Sequence, residues 1–284
     1  MRTMDSYDIR TMRREEMDFA IELAASEGWN PGIHDAACFY NTDPDGFFVG
    51  LLNGRIIGCI SDVSYDGVFG FLGLYIIVPE YRGRGYGIRL WNKAIQRLEG
   101  HNIGLDGVVE QQPNYLKSGF KFAYRNIRYE GVAGSVTTFP HSIVDLRSVK
   151  FDDLCTYDRN SFPANRGRFL RHWITMPESV GVAYIEDGLI RGYGLIRRCY
   201  RGYKIGPLFA DTLEIGESIF SSLTSSVPKG SPVFLDVPEV NRYAVDFVNR
   251  HRMKKVFETA RMYTKEVPSI RMYRLFGVTT FELG

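Results

Sequence analysis

Two apolar hairpins recur at one fixed distance along this 284-residue chain, each turned by a dipeptide suited to left-handed backbone. Asn53-Gly54 separates residues 46–52 from 55–63, and Asp187-Gly188 separates 180–186 from 190–198. A type I′ turn needs positive φ at both central residues, and Asn, Asp and Gly supply it at least cost. Gly54 and Gly188 lie 134 positions apart, as do Gly58 and Gly192, and at the same offset Leu74-Tyr75 falls on Leu208-Phe209. One offset shared by several elements predicts two copies of one fold.

The elements around the hairpins support the repeat. In the first copy a strand at 7–10 precedes a helix at 14–26, where Met17, Ile21, Ala24 and Ala25 share a face and Gly28 stops the pattern. A second helix is predicted at 31–40, then the hairpin, then an apolar strand at 68–78 ended by Pro79. Ile88, Trp91, Ile95 and Leu98 form the stripe of a helix at 85–98. A strand at 103–109, a short helix at 113–118 and a strand at 120–129 complete it. The second copy begins with a strand at 142–147 and helices at 151–160 and 166–175. The apolar tail, 273–283, is predicted to close its sheet. The small, uncharged run at 131–140 reads as a linker. The predicted organisation is 1–131, a linker at 132–141, and 142–284.

Composition narrows the function classes. At 44% hydrophobic and 24% charged the chain is expected to fold, and a net charge of +2 is too even for nucleic-acid binding by bulk electrostatics. No apolar run approaches a membrane span, and Met1 to Asp5 lacks the apolar stretch of a secretory leader. Cys38, Cys59, Cys155 and Cys199 show no metal-knuckle or disulfide spacing, so a reducing, cytoplasmic setting is expected.

The stretch Ile77-Val78-Pro79-Glu80-Tyr81-Arg82-Gly83-Arg84-Gly85-Tyr86-Gly87 carries the chemistry. It leaves a strand and opens a helix. Three glycines let the backbone approach a ligand, the helix start offers free N–H groups, and Arg82 and Arg84 add positive charge. A diphosphate suits such a place. A P-loop would end in Gly-Lys-Ser/Thr, and a dinucleotide fingerprint would read G-x-G-x-x-G; neither is present.

Arg82 to Gly87 resembles the R/Q-x-x-G-x-G/A acyl-CoA loop of the GCN5-related N-acetyltransferases (GNAT), and Tyr115-Leu116-Lys117-Ser118-Gly119-Phe120 resembles their Y-x-x-x-G-F segment. The likeness spans roughly residues 5–130. The second half, through the run at 203–211 and the ending Phe276 to Phe281, resembles the extra acetyltransferase-like domain of bacterial YitH-type proteins. The resemblance implies two tandem α/β domains, each a mostly antiparallel twisted sheet flanked by helices. It implies acetyl-CoA as co-substrate, held by the amides of Arg82, Gly83, Arg84, Gly85, Tyr86 and Gly87, with its pantetheine along Ile76, Ile77 and Val78. Tyr115 falls where the family places its general acid. Where some relatives carry a basic Glu on the fourth strand, this chain has Leu72 and Leu74. Asp106 and Glu110 are the nearest substitutes. His34 and Asp35 lie on the second predicted helix, where relatives shape the acceptor pocket. Arg166, Arg168 and Arg171 are expected on a solvated helix face.

The expected activity is transfer of an acetyl group to a small-molecule or peptide amine by direct attack. The competing readings are a non-enzymatic acyl-CoA sensor and an aminoacyl transferase drawing on charged tRNA. No nucleic-acid or membrane partner is expected, and self-association as a homodimer stays open. Carried through the loop, the 134 offset sets Arg82 against Gly216 and Gly85 against Ile219, and in the closing segment Val248 stands where the first copy has Tyr115. A site with acids for glycines repels a diphosphate, so the second copy is expected to be degenerate and to shape the substrate pocket.

Overall fold

The computed structural model describes residues 6–134 and 141–284; positions 135–140 of the expected linker lie outside the described residues. The first half runs β1 (Tyr7–Thr11), α1 (Met17–Ser26), α2 (Asp35–Thr42), β2 (Phe47–Leu52), β3 (Arg55–Tyr65), β4 (Phe69–Ile77), α3 (Tyr86–Arg97), β5 (Asn102–Val108), α4 (Gln112–Lys117) and β6 (Lys121–Val132). The second runs β7 (Ile143–Asp145), α5 (Phe151–Asp158), α6 (Gly167–Trp173), β8 (Ser179–Glu186), β9 (Leu189–Arg198), β10 (Tyr203–Ala210), α7 (Leu213–Ser225), β11 (Pro232–Pro238), α8 (Arg242–Arg250), β12 (Lys254–Tyr263) and β13 (Leu275–Gly277). The orders match element for element as far as β12. Both hairpin dipeptides have the positive φ their turns require: 51° and 81° at Asn53 and Gly54, 52° and 73° at Asp187 and Gly188.

Along one thirteen-stranded sheet the order is β1-β2-β3-β4-β5-β12-β6-β11-β10-β9-β8-β7, with β13 against β10. Each half's closing strand therefore lies inside the other half. β12 separates β5 from β6, and β6 separates β12 from β11. Two buried ion pairs at equivalent places hold this exchange. Arg128 on β6 sits opposite Asp236 on β11 and donates to both its oxygens at 2.6 and 2.7 Å. Arg261 on β12 sits opposite Asp106 on β5 and donates at 3.0 and 2.5 Å. Bidentate geometry fixes register as well as charge balance.

On one face of the first half, α1 and α2 pack Ala20, Ile21 and Phe39 against Phe71, Leu74 and Ile76 of β4. On the other, α3 packs Leu90, Trp91 and Ala94 against Leu72 and Leu105. The amphipathic stripes follow from apolar residues recurring every three or four positions.

The structure corrects three sequence expectations. Eight residues join β4 to α3, but only two join β10 to α7, so the 134 offset fails at the loop. Gly216 and Ile219 are interior residues of α7, and the second copy lacks the loop altogether. The tail is a strand only at Leu275–Gly277. It then turns toward the first half, where Tyr65 donates its hydroxyl to the Leu283 carbonyl at 3.0 Å, while Arg166 of the second half donates to the Gly284 carbonyl at 3.1 Å. Arg166 itself is buried in a bidentate pair with Asp158, at 2.8 and 2.7 Å. Only Arg168 and Arg171 of that cluster are exposed.

Candidate active site

β4 and β5 pair in parallel from Phe69↔Asn102 to Leu72↔Leu105 and then part, although β4 continues to Ile77 and β5 to Val108. A bulge starts the divergence. β3 advances from Cys59 to Ser61 while β4 advances from Ile76 to Gly73. Within the bulge Leu74 has φ of 46°, a left-handed conformation that costs a leucine about 1–3 kcal/mol and marks functional places. The outer edge of β4 from Gly73 to Ile77 is thereby left without a strand partner, open to an extended ligand.

The loop after β4 ends on Gly85, with φ of 83°, at the N-cap of α3. No side chain caps that helix, so its first-turn N–H groups and positive dipole end stay available to an anion. Gly83, with φ of 75°, makes the preceding turn. A Cβ on either glycine would project into open space, whereas one on Gly87 would press on the Tyr75 hydroxyl at 2.7 Å. Arg82 is held to the loop by its Nε, which donates to the Ile77 carbonyl at 2.7 Å, and by an ion pair with Glu27. Arg84 is exposed and lies over the Tyr81 ring. Tyr86 faces away, its ring 4.7 Å from that of Tyr7. Val78 donates its N–H to the Ile57 carbonyl at 2.9 Å and starts the loop.

A cavity of about 410 Å³ occupies the parting of the strands. Gly83, Gly85 and Gly87 line it, as do Ile76 and Ile77. Tyr115 also borders it. The Tyr115 ring lies where Gly107 lacks a side chain and stacks on Trp91 at 5.6 Å. Burial pushes its phenol well above the ordinary range, with Tyr75 adding to the effect, so the hydroxyl keeps its proton at neutral pH. It has no hydrogen-bond partner among the described residues.

The carboxylates singled out from sequence are placed differently. Asp106 borders the cavity, but its side chain is covered. Its oxygens accept from Arg261, from Asn126 at 2.7 Å and from Thr259 at 3.3 Å. Glu110 is exposed and lies outside the cavity lining. Asp35 is buried against Arg197, and His34 approaches Glu178 at 3.7 Å; neither lines the cavity. Trp29 does line it, as do Phe257, Thr259, Phe281 and Glu282 from the second half. Sequence reasoning missed all five. Four reach the site only through the exchanged strand and the returning tail, and no local motif announces that.

The second half's corresponding place is filled. β13 lies antiparallel on β10, with Leu208 opposite Gly277 and Phe209 opposite Leu275, just beyond the point where β10 stops pairing with β11 at Ile205↔Leu235. Thr212 caps α7 through the Ile215 N–H. The bond from the Phe120 N–H to the Tyr115 carbonyl is matched by one from Met253 to Val248, so a buried Val248 stands where the first half has Tyr115.

This fold, with its splayed strands and uncapped helix, defines an acetyltransferase-type chain. Residues 9–120 match the acetyltransferase (GNAT) family and residues 154–277 an acetyltransferase (GNAT) domain. The chain belongs to the GNAT acetyltransferase family, and its tandem architecture resembles that of YitH-like proteins. It is 29% identical over 271 residues to the holothin acyltransferase of Pseudoalteromonas sp. (strain SANK 73390), covering 95% of this chain and 92% of that one. It is 27% identical over 279 residues to the uncharacterized N-acetyltransferase YitH of Bacillus subtilis, covering 96% and 97%. The crystal structure of a candidate acetyltransferase from Pyrococcus horikoshii shares the fold, with a TM-score of 0.84 at 20% identity over 98% of this chain and 96% of that one. No described helix is long and apolar enough to cross a membrane.

Proposed function

We propose that the protein transfers an acetyl group from acetyl-CoA to the amine of a small molecule, by direct attack with both substrates bound. The observation that carries this reading is the uncapped start of α3 beside the unpaired edge of β4. One end suits a diphosphate, and the other suits an extended pantetheine arm. Gly83, Gly85 and Gly87 with their neighbouring amides would hold the diphosphate. Ile76 and Ile77 would hold the arm, and the bulge around Leu74 would steady the thioester carbonyl. Tyr115 would protonate the departing sulfur, a role that suits a buried phenol still carrying its proton. Holding both reactants in one cavity would supply much of the rate.

A small acceptor, rather than a protein surface, suits a cavity of about 410 Å³ bordered by Phe257 and Phe281. The full-length relative named for holothin acylation supports the same class. The test is acetyl-CoA binding by calorimetry with CoA release measured across a library of amines. Tight binding with amine-dependent release is expected. Binding without release from any amine would favour the sensor reading, and absence of binding would refute both.

A further inference from the structure

If the proposed reaction holds, something must take a proton from the attacking nitrogen, and the described residues of the first half offer no free carboxylate in the cavity for it. β4 carries Leu72 and Leu74, Asp106 is saturated by hydrogen bonds, and Glu110 lies outside the cavity. Two other carboxylates border the cavity: Glu27, which is paired with Arg82, and Glu282. Glu282 belongs to the tail of the second half and is 2% exposed. Its Oε2 accepts from the Thr280 hydroxyl, while its Oε1 has no partner among the described residues.

The tail is fixed where Glu282 borders the cavity. The Glu282 N–H donates to Thr280 Oγ1 at 2.9 Å. The Glu282 carbonyl lies against Gly73, at the bulge of β4, where any Cβ would collide with it. Tyr65 and Arg166 anchor the next two carbonyls. Beneath lies a buried cluster of charge. Arg128 and Arg197 have carboxylate partners in Asp236 and Asp35. Lys204 has none within ion-pair distance among the described residues; its ammonium reaches only the Trp29 carbonyl, at 3.5 Å. Burial pushes the Lys204 ammonium down and Arg128 adds to this, while Glu282 is among the anions that oppose it. With the two arginines paired, Lys204 is the cation left over, and Glu282 is one of the anions that act on it.

We infer that Glu282, delivered by the second half, is the proton acceptor of the transfer in the first. The assignment rests on the function proposed above. An incoming ammonium gives one proton to Oε1, and the freed nitrogen lone pair attacks the thioester carbon. The C–N bond forms, the C–S bond breaks, and the sulfur takes the Tyr115 proton. The nitrogen's second proton restores Tyr115, and Glu282 releases its own to water at the cavity mouth. The products are an amide, a free thiol and one solvent proton.

The experiment compares full-length wild type, Glu282→Gln and Glu282→Asp with the amine that turns over best in the library screen. Glu282→Gln should keep the acetyl-CoA dissociation constant within about threefold and lose about 10²–10⁴ in kcat/KM at pH 7. The deficit should shrink about tenfold per pH unit toward the amine's own pKa, because solution then deprotonates the acceptor. The groups facing Glu282 are Arg128, Arg197, Lys204, Asp236 and Thr280, and they are unchanged in both enzymes. Glu282→Asp should recover part of the rate with the wild-type pH slope. Unchanged kcat/KM, or a loss equal at every pH, would overturn the assignment and leave Glu282 a structural countercharge. Should Glu282→Gln not fold, Glu282→Asp decides alone: full activity overturns the assignment, and a loss confined to kcat supports it. A wild type that binds acetyl-CoA yet releases none with any amine refutes the underlying function instead.

Discussion

At the end of β4 the chain spends eight residues on a glycine-rich loop before α3; at the end of β10 it spends two before α7. That single difference separates two otherwise parallel halves. Gly85 leaves α3 uncapped, whereas Thr212 spends its hydroxyl on the first turn of α7, with Glu214 beside it. The parted strands of the first half enclose a cavity, whereas those of the second hold β13. Tyr115 in one is Val248 in the other. The comparison teaches how a duplicated fold can divide its labour. One copy keeps an open cavity. The other fills its slot with its own tail and sends the end of that tail to complete its neighbour.

The strongest way to break the comparison is to test where the halves should be equal. Arg128–Asp236 and Arg261–Asp106 are the same pair in two copies. Arg128→Met and Arg261→Met should each cost about 3–5 kcal/mol of unfolding free energy, because each strands a buried carboxylate. Urea denaturation checks it, and a large difference between the two would end the equivalence. Burial alone would raise the Asp236 carboxyl, but Arg128 more than offsets this and holds it below its usual range. A depressed carboxyl contributes its stability above the unfolded value near ~4 and loses it as pH falls through the folded value. Arg128→Met should therefore flatten the acid limb of the stability profile below about pH 4.

Next come the places where the halves should differ. Tyr115→Phe should lower kcat by about 10²–10³ with the acetyl-CoA dissociation constant unchanged; losses of equal size in both would make Tyr115 a packing residue. Val248→Ala, its counterpart, should affect stability and leave acetyl-CoA affinity alone. Gly85→Trp should weaken acetyl-CoA binding about 100-fold, the worth of roughly two amide bonds to an anion. Calorimetry with circular dichroism on the same sample separates that loss from unfolding. Thr212→Ala is the smallest effect: about 1 kcal/mol from a lost helix cap, with no change in affinity for acetyl-CoA.

Much of this was legible in the sequence because the signals were local. Asn53-Gly54 and Asp187-Gly188 declared their hairpins, the stripe from Ile88 to Leu98 declared α3, and three closely spaced glycines declared the loop that leads into it. The repeat itself was visible in one offset. What escaped notice was non-local. The site is completed by Phe257, Thr259, Phe281 and Glu282, which reach it only because β12 crosses into the first sheet and the tail leaves the second. Pairing across more than a hundred residues leaves no periodicity to read. Asp106 looked available because an acid within an apolar strand needs a reason. The reason lies on β12, in Arg261, and Asp236 has the same partner type in the half without a loop. The connection before α7 is six residues shorter than the one before α3, and a fixed offset cannot reveal a deletion inside the repeat it defines.

The central claim is that the seat for a coenzyme diphosphate survives in one half only. Diffraction from a crystal soaked with acetyl-CoA tests it most directly. Density for the diphosphate should lie against the amides of Gly83 to Gly87, with the arm along Ile76 and Ile77 and nothing at the start of α7. Density between β10 and β11 in place of β13, or at Thr212, would contradict the account.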